Sequence, residues 1–146
     1  MTVRGLDTFV ARIDRLHTNS NATAKRAVHA GAKVVADKIR KNLTGVTVIP
    51  KWQKKDLLDS FGISPVDVDE KGATNTKIGF DGYGSRPTKK YPKGLPNQLL
   101  ARAIESGTSF RKKQPFVRPA VDAAKKQAIN EMERVIDEEV KKILKE

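Results

Sequence analysis

Two histidines, an acidic cluster, a run of glycines and a basic loop carrying two tyrosines are the residues of this chain whose chemistry could be put to use. His17 and His29 could ligate a metal or move protons near neutral pH, but no carboxylate cluster or nucleophile stands at ligand or triad spacing from either. Asp67, Asp69 and Glu70 could hold a cation. They lack the glycine-punctuated spacing of a calcium loop and read instead as a solvated strand end. Gly79, Gly82 and Gly84 suggest a phosphate loop, yet no Gly-Lys-Ser/Thr follows at the required offset. Asp137, Glu138 and Glu139 are consecutive on a helical pattern, so they point in different directions and make a helix surface rather than a paired-carboxylate site. With no cysteine there is no thiol chemistry and no disulfide framework. The residues predict a protein that is not an enzyme and has no cofactor and no metal.

Charge is the strongest compositional signal. The chain of 146 residues carries a formal +12, a surplus that points to a negatively charged partner surface. It is concentrated in residues 84–113, where Arg86, Lys89, Lys90, Lys93, Arg102, Arg111, Lys112 and Lys113 face Glu105 alone. Tyr83 and Tyr91 among those cations could stack bases while the lysines meet phosphates. About seven engaged charges would give a salt slope of roughly −6. The alternative is a solvated loop that orders on a protein neighbour. Two tyrosines with no helix-turn-helix or zinc motif favour the second reading; a small basic nucleic-acid-binding protein stays as the alternative.

The elements that must position these residues follow from periodicity. Leu6, Phe9, Val10, Ile13 and Leu16 predict a short helix over 5–16, broken by the His17–Asn21 cluster. Val28, Ala32, Val35, Ile39 and Leu43 predict a second helix ending at Thr44-Gly45. Residues 46–56 have no clean period, so a mobile connection is expected over 44–56. Phe61, Ile63, Val66 and Val68 alternate, with the phase slipping by one at Pro65, and Thr76, Ile78 and Phe80 resume the two-residue period. This predicts an antiparallel hairpin, 60–69 with 76–81, containing a bulge or an edge. Residues 81–95, with three glycines and two prolines, predict a long mobile loop. A short helix should run from Pro96 to Ser106, and the stripe Val121, Ala124, Ala128, Met132, Val135, Ile136, Val140 and Ile143 predicts a long one over 119–145, braced by Asp137–Lys141 and Glu138–Lys142. A further strand near 114–118 is an option. The fold class is α+β: one domain, 1–146, with a small antiparallel sheet covered by two long helices and short additional ones. No apolar run is long enough to cross a membrane.

Between the last two helices lies the stretch that organises the rest. Gly107 should stop the preceding helix by taking a left-handed conformation, and Pro119 should open the next at its first position. Pro115 drives Gln114 to an extended backbone, so Phe116 and Val117 arrive in a short stiff segment, with Phe116 as a buried peg. Glu105, a small residue, Gly107-Thr108, a polar stretch and then Gln114-Pro115-Phe116-Val117-Arg118-Pro119-Ala120 resemble the tail-component family of long-tailed bacteriophages and prophages, proteins that complete or join the tail at the head–tail interface. Arg4-Gly5-Leu6-Asp7 with Phe9 and Leu16 is similar to that family's opening helix, and Asp56 to Phe61 to the approach to its strand. The resemblance implies a structural virion protein that assembles with copies of itself into a ring, sixfold to match the tail. It implies connector and tail-tube partners, nonspecific DNA contact, no membrane, and residence in the host cytoplasm before assembly. Candidate contact residues are Tyr83, Arg86, Lys89, Lys90, Tyr91, Lys93, Arg111, Lys112 and Lys113. The family passes from strand to Glu-small-Gly-Thr turn through a short connection; here a loop and a helix lengthen it, so contact sites do not carry over.

Overall fold

The computed structural model describes the backbone of residues 6–145 and the side chains of residues 20–145. Its elements are α1 (Leu6–Thr44), α2 (Lys51–Ser60), β1 (Phe61–Ile63), β2 (Asp67–Val68), β3 (Thr74–Asn75), β4 (Ile78–Phe80), α3 (Asn97–Ser106) and α4 (Val117–Lys145). The expected α+β class holds, with two long helices against a small antiparallel ribbon.

Helix α1 corrects the expected break at 17–21, since it runs unbroken through 39 residues. The polar cluster contains neither glycine nor proline, so its low propensity costs only about half a kcal/mol per residue. Farther along, α1 packs against α4. The two helices run antiparallel: Arg26 reaches Glu139 at 2.8 Å, a Cβ on Gly31 would press on Met132, and the Asn42 amide donates to the Phe116 carbonyl at 3.3 Å. Ala27, Ala32 and Ala36 on α1 and Ala120, Ala124 and Ala128 on α4 are all buried, and such small side chains let two helices approach closely. The side chains of Leu6, Phe9, Val10, Ile13, Leu16 and His17 lie outside the described residues, as do Arg4 and Gly5 altogether.

A second correction concerns 46–60. Residues 51–60, expected as an irregular connection and then the approach to a strand, form α2, which buries Leu57. Pro50 supplies the helix start, where a missing N–H is no loss. Asp56 to Ser60 are therefore helical, and β1 begins only at Phe61.

The hairpin is present but split by the anticipated bulge. Phe61 pairs with Phe80 and Ile63 with Ile78, whereas Asp67 pairs with Asn75 and Val68 with Thr74. Three residues, Ser64–Val66, face two, Thr76 and Lys77, so one extra residue sits on the first strand. Proline at 65 has no N–H to lend a ladder there. The ribbon's inner face is Phe61 and Phe80, their centroids 5.1 Å apart, closed by Leu43 of α1, Leu57, Ile104 and Phe116. The braces expected on α4 are replaced. Glu138 pairs with Arg134 at 2.6 Å and Glu131 with the same guanidinium, so neither Asp137–Lys141 nor Glu138–Lys142 is an ion pair among the described residues.

Candidate functional site

The segment joining α3 to α4 is built by three side chains. Helix α3 ends at Gly107, whose φ is +76° as expected; its ψ of 168° is not the left-handed helical value but a region that only glycine reaches. A Cβ there would also meet the Lys113 backbone nitrogen at 3.0 Å. Thr108 shapes the turn that follows: its N–H donates to the Arg111 carbonyl at 2.9 Å and its hydroxyl accepts from the Phe110 N–H at 3.2 Å. Gln114 then returns to the core. Its N–H donates to the Ile104 carbonyl, while its side-chain oxygen accepts the N–H groups of Thr47 at 2.9 Å and Val48 at 3.2 Å. A single amide thus holds the α1–α2 connection against the start of α4.

Residues 114–116 form no strand among the described residues, and α4 starts at Val117, two residues before the expected first position at Pro119. Its N-terminal donors, which have no partner within the helix, meet Glu105, the penultimate residue of α3. That carboxylate accepts from Phe116 and Val117 at 2.8 and 2.9 Å on one oxygen and from Arg118 at 2.9 Å on the other. Pro119 has no N–H and completes the turn. Burial alone would raise the Glu105 pKa, but the three N–H groups, helped by the Arg118 charge, outweigh it and hold the carboxyl below its ordinary 4.5. Phe116 is 1% exposed and packs edge-on to Phe80, centroids 6.1 Å apart. The motif is a fastener, and Glu105 and Gln114 have side-chain roles that spacing alone did not assign. A glutamate two residues before a Gly-Thr helix stop, with the next helix opening shortly after, is the signal that marks the first.

The basic loop 81–95 is tied down at several points. Gly84 and Leu95 pair through backbone, Tyr83 bridges Pro96, and Thr88 and Gly94 both donate to the Tyr91 carbonyl. Gly94, at φ +100°, lies so close to the Gly84 carbonyl that a Cβ would collide with it. Asp56 of α2 accepts from the Ser85 N–H and hydroxyl, each at 2.9 Å. Arg86 lies 4.1 Å over the ring of Trp52 and Lys90 lies 5.6 Å from the Tyr91 ring centre. Trp52, Tyr91, Leu95 and Leu100 enclose an apolar hollow of about 330 Å³ under this loop. Of the residues named from sequence, Arg86, Lys90 and Tyr91 make ring contacts within the subunit, although Arg86 and Lys90 are exposed, as are Tyr83, Lys89 and Lys93. Arg111, Lys112 and Lys113 stand apart from them, at the other end of α3. Trp52 and Asp56, the hidden partners of the loop, were not singled out from sequence.

The Arg86–Trp52 contact is testable in isolation. Arg86→Ala should cost about 0.5–1 kcal/mol and shift the emission of Trp52, the chain's one tryptophan, to longer wavelength. Global unfolding should move little; an unchanged spectrum would mean that the guanidinium does not cover the ring.

His29 is exposed, as are Asp67, Asp69 and Glu70. Among the described residues no group of three or more His, Cys, Asp or Glu could hold a metal ion, and no helix is long and apolar enough to cross a membrane.

The glutamate, glutamine, glycine and phenylalanine of this segment thus lock two long helices onto a ribbon, and the basic loops lie outside that lock. The family model described as "Bacteriophage HK97-gp10, putative tail-component" matches residues 7–92, more than half the chain, and the chain belongs to that family of phage tail components. The match runs from α1 into the basic loop and stops before the Glu105–Ala120 fastener. No curated protein and no solved structure matches the chain.

Proposed function

We propose that this tail component is a non-enzymatic subunit that completes the tail at the end meeting the head. Copies pack into a ring, sixfold in register with the tail, that joins the connector on one side and the tail tube on the other. Membership of the tail-component family over residues 7–92 carries the reading. The likeness of Gln114–Ala120 to tail-joining proteins directs it to the head-facing end. The subunit folds in the host cytoplasm and is incorporated into the virion. A ring needs two different surfaces that meet by rotation, and the exposed loops at either end of α3 offer basic surfaces for neighbours. Lysines 89, 93, 112 and 113 turned to the lumen would lie against phosphates of DNA in transit.

Light scattering and negative-stain microscopy of purified, nuclease-treated protein test the reading. A closed ring that persists in high salt is the expected result. A monomer whose mass changes only with added DNA, and reverts in salt, would replace this reading with nucleic-acid binding, because phosphate contacts weaken steeply with ionic strength.

A further inference from the structure

Two surfaces of the chain match each other and do not touch within one subunit. The first is the tip of the 107–113 turn. Phe110 is 98% exposed, an unusual place for a phenylalanine, and Lys112 and Lys113 beside it are exposed and in no ion pair among the described residues. The second lies along the exposed flank of α4's packed face. Ile129 and Ile136 are 45% and 41% exposed, seven residues apart and so on one side of the helix, with Glu133 on the turn between them. Of the acids in this part of α4, Glu131 and Glu138 pair with Arg134, and Glu139 pairs with Arg26. Glu133 and Asp137 are exposed and pair with no cation among the described residues.

We propose that Phe110 of one subunit seats between Ile129 and Ile136 of a second copy, with Lys112 and Lys113 against Glu133 and Asp137. The inference rests on the self-assembly reading above. It commits to a second copy because the aromatic knob carries unspent positive charge, while Glu133 and Asp137 lie unspent on the C-terminal side of the seat; exposed Lys125 and Lys126 flank Ile129 on the other side, so Lys112 and Lys113 turn toward the acids. Ile129 and Ile136 lie about 18 and 28 Å along α4 from its start at Val117, and both surfaces are exposed in the single chain, so they meet only between chains. A knob at one place and its seat at another make a head-to-tail contact, the kind that closes into rings. Burial of the ring between two isoleucines sustains the contact in high salt, while the charges fix its polarity.

The test uses the full chain in three forms: wild type, Lys112→Glu with Lys113→Glu, and Glu133→Lys with Asp137→Lys. Sedimentation velocity should show the wild type self-associating, each reversed protein monomeric, and an equimolar mixture of the two reversed proteins restoring association as alternating oligomers, because each protein's knob again meets the other's seat with opposite charge. Phe110→Ala should weaken association on the order of tenfold or more, with an unchanged Tm at dilutions where both proteins are monomeric, because the ring is exposed in the monomer. If the wild type and every variant form the same oligomer, this contact is overturned while self-assembly stands. If reversal disrupts association but the mixture does not restore it, the pairing of these two surfaces is overturned. If the wild type stays monomeric at all concentrations the contact is likewise overturned; the tail-completion role is then judged separately, by locating the protein in whole virions by antibody labelling.

Discussion

Phe116→Ala should destabilise the domain by about 3–5 kcal/mol, the range for removing a buried phenylalanine. The side chain is 1% exposed, so truncation loses its transfer energy and leaves a hollow. That hollow would open among Leu43, Leu57, Ile104, Phe80 and Ala120, which belong to both long helices, the ribbon and the short helices. A cavity touching that many separate elements collapses poorly, which places the cost toward the upper end. Against a domain stability of about 5–15 kcal/mol this is a large share, and Tm should fall on the order of 10 °C. Phe116→Leu retains most of the volume and should cost less than half as much. Chemical denaturation should show a lower midpoint with an unchanged slope. A Tm within a degree or so of wild type would mean that the ring is not a core peg.

The helices and the sheet were legible where periodicity was strong. The stripe Val28–Leu43 follows the packed face of α1, and Ala124, Ala128 and Ile143 that of α4, whereas Val121 and Ile136 of the same expected stripe are exposed; the phase slip at Pro65 marked the bulge between the two ladders. His17–Asn21 has the composition of a break, yet α1 passes through it, because a cluster with no glycine or proline lowers helix propensity without ending the helix. Helix α2 was missed because it is short and mostly polar, with Leu57 its one buried residue. Its start is marked only by Pro50, a weak sign in a lysine-rich stretch.

The fastener was partly legible. Gly107 and Phe116 announce themselves by residue type: a glycine where a helix must stop, and an aromatic held between prolines. Gln114 and Glu105 do not, because their bonds run to backbone donors 66 to 67 and 11 to 13 positions away. Spacing shows such distant partners only once the chain is folded. The same holds for the basic loop. Its glycines and prolines read as freedom, whereas Asp56 and Trp52, supplied by the unanticipated α2, hold Ser85 and Arg86 in place. Phe110 escaped notice for the opposite reason: nothing in composition separates an aromatic that is buried from one that is displayed.

The second large effect concerns Glu105. Glu105→Ala should cost about 2–3 kcal/mol, above the usual 0.5–2 for losing one helix cap, because one carboxylate serves three backbone donors and sits at the positive end of the α4 dipole. The pH dependence follows from its lowered pKa. A carboxyl that ionises more readily folded than unfolded adds stability that is fully present above the ordinary glutamate pKa and is lost as pH falls through the folded value. Wild-type stability should therefore decline on the acid side of the ordinary 4.5. Glu105→Gln, which keeps the shape without the charge, should be less stable than wild type at neutral pH and approach it in acid. Parallel urea titrations of the two proteins across this range measure the difference directly. A gap that stays constant with pH would show that the side chain acts through its shape alone, and no gap at neutral pH would remove Glu105 from the fastener.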